Sequence, residues 1–369
     1  MDPEITYRIA FASLRGMNPA LARQLLARVP DERTFFEMPA RQLAAVVGFG
    51  CRIFDDAYRH TQLERARREA DFISSSGRVR AVYFTDEAYP QRLSEIDDAP
   101  LMLFTIGDCD LNSEVMLSVV GTRHATPYGL DFVAGLIDDL AAEIDGSVAV
   151  VSGLALGIDA AAHKAALKRA VPTVGVLAHG LNMIYPSQHR SLAASIIREG
   201  GALVTEYGVS DPVRKGNFIA RNRIVAGLSD CVVVAESAAK GGALITAGLA
   251  SGYNRDVFAL PGRTSDPYSA GCNALINGNI ALLVRDASDI IKAMNWRVRA
   301  SAPNQPSLFP ELSDEERLVV ELLTQHGEMG LNQFSVALGK NVGRVMSLLV
   351  DMEFKGLLLS YPGGKYRLA

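Results

Sequence analysis

The spacing of apolar positions divides the chain into three regimes. Through residue 76 apolar side chains recur at helical intervals: Leu14, Leu21, Leu25 and Leu26, then Leu43, Val46 and Val47, before a charged stretch from about Asp55 to Ser74. No β-branched alternation interrupts them, so the spacing predicts a small helical module over 1–76. Two stretches inside it, LRGMNPALARQLL and LAAVVGFGCR, read as helix-Gly-helix units, the pattern by which helix-hairpin-helix and SAM-like modules offer backbone N–H groups to a phosphate or a partner. Glycine between helices is equally an ordinary C-cap, and packing or protein contact is favoured over DNA contact.

From 77 to 300 short β-branched runs alternate with stretches of helical periodicity. The runs are VRAVYF (79–84), VMLSVVG (115–121), SVAVVSG (147–153), PTVGVLA (172–178), GALVTE (201–206), DCVVVAE (230–236), RDVFAL (255–260) and NIALLV (279–284). Near-continuous apolar strands separated by helices predict an α/β fold, a doubly wound and mostly parallel sheet covered on both faces. A proline-rich segment over 301–312 predicts a linker. Beyond it, Ser313 with Glu316 three residues later predicts a capping box. Helical spacing over 318–325, 331–338 and 342–355 follows, then a hairpin of 357–360 and 365–368 joined by the turn YPGG. Three helices and a hairpin over 313–369 make a winged helix.

Charge narrows what such a chain can bind. Its 369 residues carry 37 Lys and Arg against 41 Asp and Glu, a formal net charge of −4, which excludes a polycation that clings to nucleic acid by bulk attraction. Residues 1–76 carry a net charge of +1, 77–312 of −4 and 313–369 of −1, so any nucleic-acid site is a local patch. The last segment holds six basic and seven acidic residues, which favours protein or regulatory contact over duplex DNA binding there. The apolar stretches are too short for a bilayer and the start lacks a signal peptide's basic head, so a soluble, cytoplasmic protein is expected. Cys51, Cys109, Cys231 and Cys272 lie far apart, which excludes a disulfide framework or a Cys-rich zinc site and predicts small, buried or half-buried apolar roles.

In doubly wound sheets ligands bind where strands end, so the residues after each strand carry the chemistry. The first such crest delivers Gly121, Thr122 and Arg123, which suit an anion through backbone approach, a hydroxyl and a bidentate charge. It is not G-x-G-x-x-G, so a dinucleotide fingerprint is absent. The second places Ser152 and Gly153 before a helix opening at Gly157. Asp159 and His163 stand four apart on that helix. With no third ligand nearby, a hydrogen-bonded structural pair is favoured over a metal site.

The strongest basic patch runs between Asp211 and Asp230: 18 residues with no acid and four bases, Arg214, Lys215, Arg221 and Arg223, together with Asn217, Phe218 and Asn222. Charge for phosphates beside a ring for a base suits unpaired nucleic acid. A solvated helix face with Phe218 in the core is the bland alternative. A further crest places Lys240, Gly241 and Gly242 at a helix start. No metal, cofactor or catalytic residue is expected.

These ordered motifs carry a resemblance. YPQRL with APLMLF, then VVGTR, SGLALGIDAAAH, GVLAHGL with YP, TEY, NFIARNRIVAGLSD, VVVAE, GGALITAGLA and FALPG with GCNALI together resemble the DNA processing protein A family, also called DprA or Smf, over about 200 residues. The resemblance implies an extended Rossmann-like core that binds single-stranded DNA, dimerises, and helps load the RecA recombinase on incoming DNA during natural transformation. The family's DNA contacts fall on Arg123, Lys215, Phe218 and the Arg221 to Arg223 segment. Two rivals remain. One is a nucleotide phosphoribohydrolase-like enzyme of the same fold class, opposed by the lack of a carboxylate between Glu236 and Asp256. The other is a transcription regulator acting through the winged helix.

Overall fold

The computed structural model of the chain describes residues 3–299, 313–355, 357–361 and 364–368. The predicted linker over 301–312 and the middle of the predicted YPGG turn lie outside the described residues. The chain divides into two compact units, one ending at Arg299 and one comprising the C-terminal 70 residues from Ala300.

The first unit is built on nine strands: β1 (Val79–Tyr83), β2 (Met102–Gly107), β3 (Val115–Val120), β4 (Val148–Ser152), β5 (Thr173–Val176), β6 (Ala202–Thr205), β7 (Cys231–Val234), β8 (Asp256–Ala259) and β9 (Leu282–Leu283). They lie in the order β1-β2-β6-β5-β4-β3-β7-β8-β9. From β6 across to β9 every pair is parallel, whereas β2 runs antiparallel to both β1 and β6. All eight sequence-predicted strands are present. The ninth, β2, follows only the four-residue helix Gln91–Ser94 and leads to β3 with no helix between, so no long helical stretch marks it as a separate run.

Alternation along the central strands divides the core into two layers. Met116 and Val120 of β3 and Val232 and Val234 of β7 pack on one face, and Val115, Leu117, Val119, Cys231 and Val233 on the other. Successive side chains of a strand point to opposite faces, so a strand covered on both sides must be apolar throughout. The second face is closed by the helices Pro127–Glu143, Ile158–Lys168 and Ala287–Met294. The first face shares its core with the helices of residues 3–76, expected from the sequence as a module of their own: Phe11, Leu25, Phe35 and Leu43 belong to the same buried cluster as Tyr83, Leu103 and Val120.

Side chains placed by the chain itself start and stop these N-terminal helices. Asn18, Asp31 and Asp55 accept the N–H groups of Leu21, Thr34 and Tyr58. Gly48, at φ +88°, closes the helix Ala40–Val47 as a left-handed C-cap. Cys109, Cys231 and Cys272 are buried, but Cys51 is exposed, because it lies in the turn before the short helix Arg52–Phe54.

The second unit packs the helices Asp314–His326, Leu331–Leu338 and Val342–Phe354 against an antiparallel sheet of Met329–Gly330, Leu358–Tyr361 and Lys365–Leu368. Val319, Leu323, Phe334, Val345, Leu349 and Met352 fill its core. Ser313 and Glu316 form the expected capping box.

The long helix Asp56–Ser76 buries Glu69 against the loop after β6, where its carboxylate accepts the Val209 N–H. Burial, with Asp211 adding to it, pushes Glu69 up to about 7 against the opposing pull of that hydrogen bond. The folded value lies above the unfolded one, so the folded state holds the extra proton between them. The stability contribution is complete below the unfolded value and is lost as pH rises through about 7. Glu69→Gln, which keeps the acceptor, is expected to gain stability relative to wild type as pH rises from about 5 to about 8. Urea unfolding midpoints of the two proteins across that range check this, and a constant difference between them would contradict it.

Candidate functional site

The sheet reverses its winding between β3 and β7, since β4 follows β3 on one side and β7 returns to its other side. At that switch point the C-terminal ends of the strands open into a cleft of about 370 Å³. Its lining brings together Gly121, Thr122, Arg123, Gly153, Phe218, Arg221, Asn222, Gly241 and Gly242, nine residues that the sequence singles out from four separate segments. The helix Gly242–Gly252 starts at this lining, and no side chain caps it. Free N–H groups at a helix start favour an anion. The other expected helix start is already used: Ile158 N–H donates to the Thr122 carbonyl at 3.1 Å.

The predicted basic residues separate by what they touch. Arg123 and Lys215 are exposed, as is Lys240, and their side chains make no hydrogen bond or ion pair among the described residues. Lys215 opens the helix Lys215–Ala220 and Lys240 lies in the turn before the uncapped helix, so both stand beside the cleft rather than in its lining. Arg221, by contrast, is 5% exposed. Its guanidinium donates to the carbonyls of Gly153, at 2.7 Å, and Val176. Burial lowers its pKa, while Asp159 pulls the other way. Arg223 turns to another cavity, where it pairs with Glu206 and approaches Asp98 at 3.9 Å.

Other predicted residues brace the frame. Ser152 is buried, and its hydroxyl donates to the Val119 carbonyl at 2.6 Å. Asn217 donates to the carbonyls of Pro212 and Ala178. Asp159 and His163 do not bond to each other as a pair. Asp159 accepts from Gly153 N–H at 3.1 Å and Ala155 N–H at 3.3 Å, and His163 bonds Thr173. Burial drives His163 down to about 3, so it stays neutral. Among the described residues no group of three or more His, Cys, Asp or Glu could hold a metal ion.

Phe218 is half-buried and lines the cleft with its ring edge-on to Tyr185, centroids 5.4 Å apart. Glycine at 153 lets the buried Arg221 guanidinium lie against the turn, since a Cβ there would lie 2.5 Å from it and push it from its carbonyl partners. The carboxylates that a hydrolase would need are engaged. Both Glu236 oxygens accept from Thr126, its N–H at 2.8 Å and its hydroxyl, at the start of the helix Pro127–Glu143. Glu206 is held by Arg223. Sequence reasoning missed His124 and Tyr268, which also line the cleft and stack on each other with centroids 6.1 Å apart. The signal available was an aromatic residue at each of two crests.

A switch-point cleft with glycine turns, an uncapped helix start and unpaired cations beside it has the chemistry that suits an anion, on an α/β protein of the Rossmann-like kind that lacks the dinucleotide fingerprint. Residues 80–295 match the family described as DNA recombination-mediator protein A, and the chain belongs to that family, DprA or Smf. It is 36% identical to the protein Smf of Escherichia coli over 76% of this chain and 75% of that one. It is 30% identical to the Smf of a Synechocystis species over 99% of both. The X-ray structure of DNA processing protein A from Streptococcus pneumoniae superposes with a TM-score of 0.64 at 33% identity, covering 78% of this chain and 95% of that one. The Helicobacter pylori protein, whose structure is described for its single-stranded DNA binding mode, superposes at 0.52 with 28% identity, covering 59% and 97%. No helix among the described residues is long and apolar enough to cross a membrane.

The geometry separates two arginines that the sequence treats alike. Arg221→Ala leaves Asp159 without its buried counter-charge and two carbonyls without a donor, an expected loss of about 3–5 kcal/mol. Thermal denaturation should show a melting temperature about 10 °C lower. Arg123→Ala should melt with wild type.

Proposed function

We propose that this protein is a single-stranded DNA-binding recombination mediator without catalytic activity of its own, which protects incoming strands and helps load the RecA recombinase during natural transformation. The observation that carries the reading is the convergence at and beside one cleft of unpaired cations, an uncapped helix start and a half-buried ring, while the neighbouring carboxylates are engaged. Arg123, Lys215 and Lys240 hold phosphates, the glycine turns admit the backbone, and Phe218 stacks a base. Paired bases cannot reach the ring, so duplex DNA is disfavoured. Arg221, Asn217 and Ser152 serve the site by shaping it. Membership of a recombination-mediator family and the single-strand binding mode described for the Helicobacter pylori protein support this reading.

Two copies joined through the core would give each particle two clefts and an avidity gain. The exposed Ile280, Leu282 and Leu283 at the edge strand β9 supply an apolar surface for that pairing. The C-terminal unit is read as a winged helix that contacts protein rather than duplex DNA. Five of its six basic residues, Lys340, Arg344, Lys355, Lys365 and Arg367, are ion-paired with Glu315, Glu316 or Glu328, so phosphates would have to displace them. The N-terminal helices are read as SAM-like and as a packing element, in keeping with the C-cap role of Gly48.

Fluorescence anisotropy with single- and double-stranded oligonucleotides tests the reading. Wild type should prefer the single strand, with log affinity falling against log salt at a slope of about −2 for three neutralised phosphates. Phe218→Ala should cost about 1–3 kcal/mol. Arg123→Ala and Lys215→Ala should each flatten the slope by about 0.7. Equal affinity for the two forms of DNA, or a flat salt dependence, refutes it. Release of free base from nucleoside monophosphates would favour the phosphoribohydrolase.

A further inference from the structure

A second cleft, of about 850 Å³, adjoins the first, and Tyr268 lines both. His124 lies against one side of the Tyr268 ring, with planes inclined by 27°. Tyr128, 51% exposed, stands in the second cleft with its hydroxyl donating to the Pro261 carbonyl at 2.8 Å, which fixes the ring. Arg263 is exposed there, and its side chain has no hydrogen bond or ion pair among the described residues. Of the two carboxylates in the lining, Glu236 is engaged by Thr126, which leaves Asp266 as the one a phosphate must avoid.

Two tyrosine rings in one cleft with an unpaired arginine, continuous with a cleft that already carries Arg123, form the combination that single strands use: faces for stacking and a cation for the backbone. We propose that Tyr268 and Tyr128 form a second base-stacking platform, with Arg263 as its phosphate anchor, that extends the bound single strand beyond the Phe218 cleft. This rests on the single-stranded DNA reading and sets its footprint. A strand long enough to cross Tyr268 gains contacts that a short one held at Arg123 and Phe218 lacks.

Oligothymidylates of about four and about twelve nucleotides separate the two clefts. Tyr128→Ala, at a residue outside the lining of the first cleft, is expected to weaken binding of the longer one about tenfold and to leave the shorter one unchanged. Tyr268→Trp should retain the wild-type difference between lengths. Arg263→Ala should flatten the salt slope by about 0.7 for the longer strand alone. Arg123→Ala should weaken both. The Tyr268 backbone carbonyl accepts the Ser237 N–H at 2.7 Å and survives every substitution, which protects the local fold. Photocrosslinking with a halogenated-uracil strand of the longer length, followed by peptide mass spectrometry, should mark Tyr268 or Tyr128. Wild-type affinity of Tyr128→Ala at both lengths, an equal loss at both, or crosslinks confined to the Phe218 segment overturns the second platform while leaving the first cleft standing. Failure of wild type to bind either length overturns the underlying reading instead.

Discussion

The buried guanidinium of Arg221 is the constraint on which the crest depends. Strands that end in turns leave carbonyls and N–H groups facing inward, and each must find a partner or cost free energy. Arg221 satisfies the carbonyls of Gly153 and Val176, at the ends of β4 and β5, while Asp159 accepts the N–H groups of Gly153 and Ala155. One turn is therefore gripped from both polarities by two opposite charges. Neither charge would be tolerable alone at that depth, which is why they come together. The same arginine joins the helices Lys215–Ala220 and Asn222–Gly227, so the grip that closes the turn also fixes the segment carrying Lys215 and Phe218.

An acidic protein with a cationic site follows from how its charges are spent. Arg65, Arg92, Arg169, Arg223 and Arg255 of the first unit each pair with a carboxylate. Arg123, Lys215, Lys240 and Arg263 do not, and all four are exposed at strand crests or in the segments that follow them. At physiological ionic strength charges separated by more than about 8 Å at the surface are largely screened. A phosphate at the crest therefore experiences the local cations far more than the net charge of the whole chain. Net charge bears on solubility and encounter, and a phosphate at the crest meets the unpaired cations that the strand ends place there.

Periodicity made the sheet legible, and its limits explain the rest. Fully buried parallel strands such as Val115–Val120 and Cys231–Val234 announce themselves as β-branched runs, because both of their faces are covered. Met102–Gly107 did not, because only the four-residue helix Gln91–Ser94 precedes it after β1 and no helix separates it from β3. The site segments were legible by composition, the direction of each side chain was not. Arg221 and Arg223 are two positions apart in one acid-free run. Within a single helical turn that spacing puts them on different faces, one under the cleft and one toward Glu206. Ser152 looked like an anion ligand because it stands next to Gly153. A strand's final residue instead points its hydroxyl into the sheet. Tyr268 was hidden because a single aromatic in a loop has no period to betray it.

The N-terminal helices bring no side chain to the cleft, yet they bear on it. Arg65 pairs with Asp211 and Glu69 holds the Val209 N–H, so the helix Asp56–Ser76 grips the loop between β6 and the basic helix. Within that loop Asp211 accepts the Gly208 N–H at 2.8 Å, and Tyr207 reaches the Asn217 carbonyl. The acid-free run is thus anchored at its start by the N-terminal helices and at its far end by Arg221. The first part of that run, the helix Lys215–Ala220, buries no side chain of its own, so packing alone does little to hold it. Support from both ends lets Lys215 stay exposed and Phe218 half-buried and still be placed. Residues 3–76 therefore belong to the site's mechanics, a role consistent with the core they share with the sheet rather than a separate core of their own.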